Sequence, residues 1–370
     1  MPETIQPCSP REREIVIASL GANRPDAYNM PVYLHVTRDA DIGWLSRCLV
    51  TLVDMSDWMR RQFRRCGHEI VAVKGDPPDV PVVTISEAND LPQVAASARI
   101  GALRQPLVAL RLIRVKDSPE EAYVYFNVHH GLIDGFSLGR VIEALMALYH
   151  HRAVPPMEFG LAAATSTVPL TSNLTSARHV MCRTVGRYST GSALARNTAR
   201  VPAAMSAAEV TTLGVQCLSE WTGLDTVFVG MPVLGRRIED MDKIGSFARL
   251  ETVDVADPRD PGVGGHVTAT AVRRSLGVEP SVVWPGLPPV IIDPKATTLL
   301  DTSKWDNEGV KFFEDPTYVD EKYTAHFSAY ALNNTTTLTM DSYGLAADPL
   351  ARLWDGLIDK LRTGKEHTAR

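Results

Sequence analysis

Two adjacent histidines, an aspartate and a glycine stand close together in the run Val128-His129-His130-Gly131-Leu132-Ile133-Asp134-Gly135-Phe136-Ser137. An imidazole exchanges protons near neutral pH. A neutral histidine at the exit of a strand can take a proton from an attacking amine or hydroxyl, a contribution of roughly 10²–10⁴-fold. Asp134 can brace the loop by pairing with an arginine or with backbone N–H groups. Gly135 lets backbone come close to a substrate. The amides beside it open the following helix and can stabilise a developing oxyanion, by up to about 3–4 kcal/mol per donor. Side chains alternate along a strand, so an extended Tyr123–His130 points His129 and His130 apart. The pair is then poorly placed to hold one metal, and no metal site is expected.

The elements that must position these groups follow from periodicity. Tyr123 to His130 ends a strand that starts near Ala122, and Pro106 to Val115 forms another, joined to it through the polar turn Lys116-Asp117-Ser118-Pro119. Leu138, Val141, Ile142, Leu145 and Leu148 recur at helical spacing and place a helix directly after the motif. Upstream, Val32–Val36 reads as a strand. Asp39 or Asp41 can cap a helix that carries Ile42, Leu45, Leu49 and Leu52 on one side. Short β-type runs occupy 70–73 and 80–85, and the Ala-rich stretch Glu87–Leu103 is expected to be helical. The segment 155–176, rich in Pro, Ser, Thr and Ala, is the expected linker. Beyond it, the pattern predicts a helix over 207–221, a strand over 226–230, a hairpin of 323–330 with 335–342, and a closing helix over 349–361. Two domains are expected, at 1–160 and 161–370.

Composition excludes several classes. The chain has 370 residues, 45% of them hydrophobic, a net charge of -5 and a pI near 6.1. It lacks the basic, aromatic-interleaved surface of a nucleic-acid binder. The basic stretches Arg60–Arg65 and Gly235–Arg237 read as solvated arginines. Five scattered cysteines with no Cys-x-x-Cys pair read as free thiols. No apolar run approaches the roughly 20 residues of a membrane helix, and the polar stretch from Met1 to Arg13 has no signal core, so a soluble, cytoplasmic protein is expected. Asn173-Leu174-Thr175 is read as a chance sequon. Gly262-x-Gly264-Gly265 follows Asp and Pro rather than a strand, which makes it a poor dinucleotide loop.

The motif resembles the His-His-x-x-x-Asp-Gly signature of the condensation-domain acyltransferase superfamily. Nonribosomal peptide synthetase condensation domains, chloramphenicol acetyltransferase and plant-type CoA-dependent acyltransferases share that signature. Tyr125–Ser137 is most like the peptide synthetase domains. Pro7–Arg13 is similar to their opening motif and Trp58–Phe63 to their Leu-Arg-Thr-x-Phe segment. Leu107–Val115 resembles the strand before the signature. Val227–Arg236 resembles Gly-x-Pro-x-x-Gly-Arg, and Ile244–Phe247 resembles the Val-Gly-x-Phe stretch. Departures are a shortened second half and Ala248-Arg249-Leu250 in place of Val-Asn-Thr. Pro280–Pro285 stands where a His-Gln-Asp motif would fall, and the Asp-Phe-Gly-Trp-Gly motif is missing.

The resemblance implies an α/β fold of two chloramphenicol-acetyltransferase-like lobes. Each would be a mixed sheet flanked by helices, and the two would form a V around a central tunnel. It implies a site made by His129, His130, Asp134 and Gly135, with His130 at the tunnel's middle. Asp134 would be structural, with Arg236 as its partner. Ser246 is a supporting residue, and Asp341 is read as loop chemistry. No tightly bound cofactor is implied; the donor would be a phosphopantetheine or CoA thioester. Expected partners are an acyl or peptidyl carrier protein and a small amine or alcohol acceptor, without nucleic acid or membrane. The implied function is a stand-alone acyltransferase forming an amide or ester in natural-product biosynthesis. A CoA-dependent small-molecule acyltransferase and a non-catalytic carrier-binding module stand as alternatives.

Overall fold

The computed structural model describes residues 5–22, 24–37, 40–103, 106–162, 189–201, 205–224, 226–256, 290–294, 308–315, 318, 325–332 and 335–368. In chain order the main elements begin with β1 (Ile5–Gln6), α1 (Pro10–Gly21), β2 (Asn29–Val36), α2 (Ile42–Met55), β3 (Arg61–Cys66), β4 (Glu69–Lys74) and β5 (Val82–Ile85). Next come α3 (Leu91–Ser97), β6 (Val108–Val115), β7 (Ser118–His129), α4 (Gly135–Tyr149), β8 (Ser189–Val201) and α5 (Ala207–Thr222). The remainder are β9 (Thr226–Val233), β10 (Arg249–Ala256), β11 (Val290–Pro294), β12 (Val310–Glu314), β13 (Ala325–Leu332), β14 (Thr335–Leu345) and α6 (Ala347–Thr368).

Contacts divide the chain into two compact units. The first joins Met1–Thr165 with Leu234–Ala248 and Leu299–Tyr318, and the second takes the rest. The first unit therefore draws two segments from the second half of the sequence. Its larger sheet runs β12-β2-β7-β6-β5, antiparallel except for β5 beside β6. One face buries Leu34, Val124 and Phe126 under Leu45 and Leu49 of α2 and Ile142 and Leu145 of α4. The other buries Tyr33 and Tyr125 beside Val94 of α3. With both faces covered, β7 reads as a nearly continuous apolar run rather than an alternating one.

Local chemistry sets the helix starts. Ser9 and Glu12 form a capping box on α1, and Asp41 caps α2 by accepting from the Trp44 amide at 2.8 Å. The expected helix over Glu87–Leu103 is much shorter. After Leu91–Ser97 the chain leaves the helix because the Asn29 side chain takes both the Ile100 N–H and its carbonyl, at 2.9 and 2.8 Å. The stretch Arg60–Arg65 is also a correction to the reading of solvated arginines. Arg61 is buried and grips Glu12 through Nε and Nη2, at 2.7 and 3.0 Å, while Arg64 and Arg65 are exposed.

The second unit is a mixed sheet in the order β10-β9-β11-β13-β14-β8. Strand β11 is parallel to both neighbours. Helices α5 and α6 cover one face, where Leu218, Leu353 and Leu357 pack on Val229, Phe327 and Leu338. Helix α5 ends at Gly223, whose φ of 69° is the left-handed conformation that glycine adopts without strain. Asp341 lies within β14, paired to Arg196 of β8, rather than in a loop. The expected linker falls largely outside the described residues, as do Cys182, the 173–175 sequon, Gly262–Gly265 and the 280–285 segment. The other four cysteines are free thiols. Among the described residues no helix is long and apolar enough to cross a membrane, and no group of three potential ligands could hold a metal ion.

Candidate active site

Strand β7 ends at His129, and His130 is the first residue beyond it. Both are held by backbone bonds on opposite sides. The His129 amide donates to the Leu107 carbonyl at 2.9 Å, and the His130 amide to the Tyr28 carbonyl at 2.7 Å. The second bond extends the β2–β7 ladder one step past the Asn29–His129 pair. From Ala122 to Asp134 every residue is buried except His130, which is half-buried. The turn thus presents one imidazole and hides its neighbours.

His129 is fully buried. Its Nδ1 accepts from the Gly131 amide at 3.1 Å, and its Nε2 lies 3.0 Å from the Ser19 hydroxyl. An Nδ1 that accepts leaves the proton on Nε2, so the ring is neutral and donates to Ser19. Gly131 fits closely here, because a β-carbon at that position would press on the His129 ring and on Phe63. The two histidines accordingly do not share a face, as strand alternation implies.

Asp134 is the N-cap of α4 and is fully buried. Its Oδ1 accepts from the Ser137 amide at 2.8 Å and from Arg236 Nη2 at 2.9 Å. Its Oδ2 accepts from the amides of Phe247 and Ala248, each at 3.0 Å. Arg236 also donates to the Asp240 and Lys243 carbonyls and to Ser137 Oγ. Its guanidinium lies 4.6 Å from the Phe136 ring centre and 4.2 Å from that of Phe247, an arrangement that adds cation–π attraction. Arg236 is therefore not the solvated arginine that composition suggests; Arg237, 69% exposed, is. Gly135 opens α4 at an exposed position with open space around it.

Ser137 was not a candidate, yet it ties the site together. Its hydroxyl donates to the Gly245 carbonyl at 2.8 Å and accepts from the Gly245 amide at 2.9 Å. The only sequence signal was its place three residues after an N-cap. Ser246, next to Gly245, is buried, and its hydroxyl makes no hydrogen bond among the described residues. The clamp on segment 234–248 runs mostly through backbone amides and carbonyls, so replacing Val-Asn-Thr by Ala248-Arg249-Leu250 leaves it intact.

Residues 3–157 match the condensation-domain family model. The chain is 26% identical to tyrocidine synthase 3 of Brevibacillus parabrevis over 157 residues, 41% of this chain and 2% of that protein. It is 25% identical to surfactin synthase subunit 1 of Bacillus subtilis over 156 residues, 42% of this chain and 4% of that protein. The chain therefore spans only a few per cent of the length of these relatives. A mutant starter condensation domain of rhizomide synthetase, crystallised with C8-CoA, superposes with a TM-score of 0.68 at 16% identity, covering 97% of this chain and 94% of that one. The epimerization domain from the third module of tyrocidine synthetase B gives 0.69 at 14% identity, covering 99% and 97%. The family model and the architecture agree: residues 3–157 match the condensation domain, and the chain has the condensation-domain fold.

Proposed function

We propose that the chain is a condensation-type acyltransferase. It moves an acyl or aminoacyl group from a pantetheine thioester to an amine or alcohol. The observation that carries this reading is the selective exposure of His130 within an otherwise buried turn. A residue kept only for packing would share the burial of its neighbours. His130 would position the nucleophile and accept its proton as the nucleophile attacks the thioester carbonyl. Collapse of the tetrahedral adduct breaks the C–S bond, and the departing thiolate takes up the proton.

The surrounding residues take supporting roles. His129, neutral and bonded at both ring nitrogens, fixes the turn. Asp134 and Arg236 lock the start of α4, whose first-turn amides at Gly135 and Phe136 are then available to a developing oxyanion. Ser246 supports the clamped loop from its buried position. The C8-CoA bound to the rhizomide synthetase domain favours a pantetheine arm on the donor. CoA and a carrier protein present the same arm, and the likeness to a small part of much longer synthases favours a carrier as its bearer.

The test is donor turnover by the purified chain with an amine acceptor, using acyl-CoA and the acylated carrier protein in parallel. Product from the carrier-borne donor, well above product from acyl-CoA at equal concentration, is expected. Preference for acyl-CoA would reassign the donor. Binding of the carrier without consumption of either thioester would replace the enzyme by a binding module.

A further inference from the structure

Resting on the reading of His130 as the reactive group, we infer that Tyr318 is a positioning residue for it. The two are far apart in sequence, but both belong to the first unit. The His130 amide is anchored on the Tyr28 carbonyl, so whatever fixes Tyr28 fixes the base of the imidazole. Tyr28 ends the short loop before β2. The Tyr318 hydroxyl donates to the two carbonyls before it, at 2.7 Å to Ala27 and 3.1 Å to Asp26.

Tyr318 is itself held in place. It is 8% exposed, and the Arg99 guanidinium lies 5.0 Å from its ring centre. Arg99 bridges the two sides of this contact, pairing with Asp26 at 3.5 Å and with Asp315 at 3.1 Å. Asp315 follows β12 and donates its amide to the Pro31 carbonyl at 3.1 Å. A late segment of the chain thus reaches the loop under the reactive histidine directly through one phenolic hydroxyl, with Arg99 bridging the two beside it. The consequence is geometric: loss of that hydroxyl loosens Tyr28 and lets the imidazole wander. Small misplacements of a reacting group lower turnover steeply.

The experiment uses the full chain and Tyr318→Phe, which keeps the ring on Arg99 and removes only the hydroxyl. Hydrogen exchange at the His130 amide is read beside kcat and KM. A single hydrogen bond contributes on the order of one factor of ten in such an equilibrium. Exchange about 10-fold faster is expected, with kcat about 10-fold lower and KM nearly unchanged. Glu308→Gln serves as control. It weakens the contact with His150 and removes the ion pair with Arg152 just before β12 without touching the loop before β2, and should leave both readings unaltered.

Unchanged exchange in Tyr318→Phe overturns the inference, as does equal acceleration in Glu308→Gln, which would mean that only general docking of the late segment is being read. If the unaltered chain transfers no acyl group, the reading of His130 fails, while the exchange measurement still decides the link from Tyr318.

Discussion

Asp134 illustrates how much chemistry one side chain can concentrate. Four donors converge on its carboxylate, two of them backbone amides from more than a hundred residues away. Removing one partner of a buried ion pair strands the other, at a cost of about 3–5 kcal/mol. Asp134→Ala should therefore lower the urea midpoint by an amount equivalent to several kcal/mol, and an unshifted midpoint would refute the bracing role. Asp134→Asn retains one acceptor oxygen and should fall between. At this scale the sequence was informative where side chains carry the message. The spacing of His130, Asp134 and Gly135 was legible directly, whereas Arg236 as the partner of Asp134 followed only from the family resemblance of its Gly-Arg segment. The amides of Phe247 and Ala248 could not be foreseen, because a backbone donor leaves no residue-type signature. Nor could the pairing of His129 with Ser19.

The elements divide along similar lines. Helices α2 and α4 were legible because their apolar residues follow one helical period over many positions, and β7 because it is a nearly continuous apolar run that follows a polar turn. Strand β12 is only five residues long and sits at a sheet edge. It was missed because its identity depends on pairing with β2 rather than on a pattern of its own. Strand β8 has mostly small and polar residues, and its partner β14 defines it. The clamped segment 234–248 is held by a parallel bridge between Phe159 and Ile244, with Gly245 passing close to the Gly160 carbonyl. A methyl at Gly245 would overlap that carbonyl. Overpacking of this kind costs about 1–3 kcal/mol, and here it pushes the segment away from Ser137. Gly245→Ala should be destabilised by that amount in thermal melts, whereas Gly135→Ala, with open space around it, should melt within about 0.5 kcal/mol of the parent. Equal melting of the two variants would contradict the account of the clamp.

At the scale of the molecule, the first unit depends on segments brought in from late in the sequence, and that dependence has a pH signature. His35 of β2 faces Glu121 and Lys311, and His150 faces Glu308, Arg152 and His151. Burial lowers the pKa of both imidazoles below the ordinary value, outweighing the neighbouring carboxylates. The unfolded chain then binds protons first as pH falls through about 6.5. Stability from these two groups is present above that pH and is lost on acidification toward their folded values. Urea midpoints at pH 7.5, 6.5 and 5.5 should decline less steeply for His35→Gln/His150→Gln than for the parent, and parallel declines would dismiss the assignment.

The decisive measurement concerns His130 itself. Single-turnover transfer from an acylated carrier protein to an amine should fall about 10²–10⁴-fold in His130→Ala, while the melting curve stays with that of the parent because the ring is half-buried and its backbone bond to Tyr28 remains. Transfer at the parental rate by a folded His130→Ala protein would contradict the central claim.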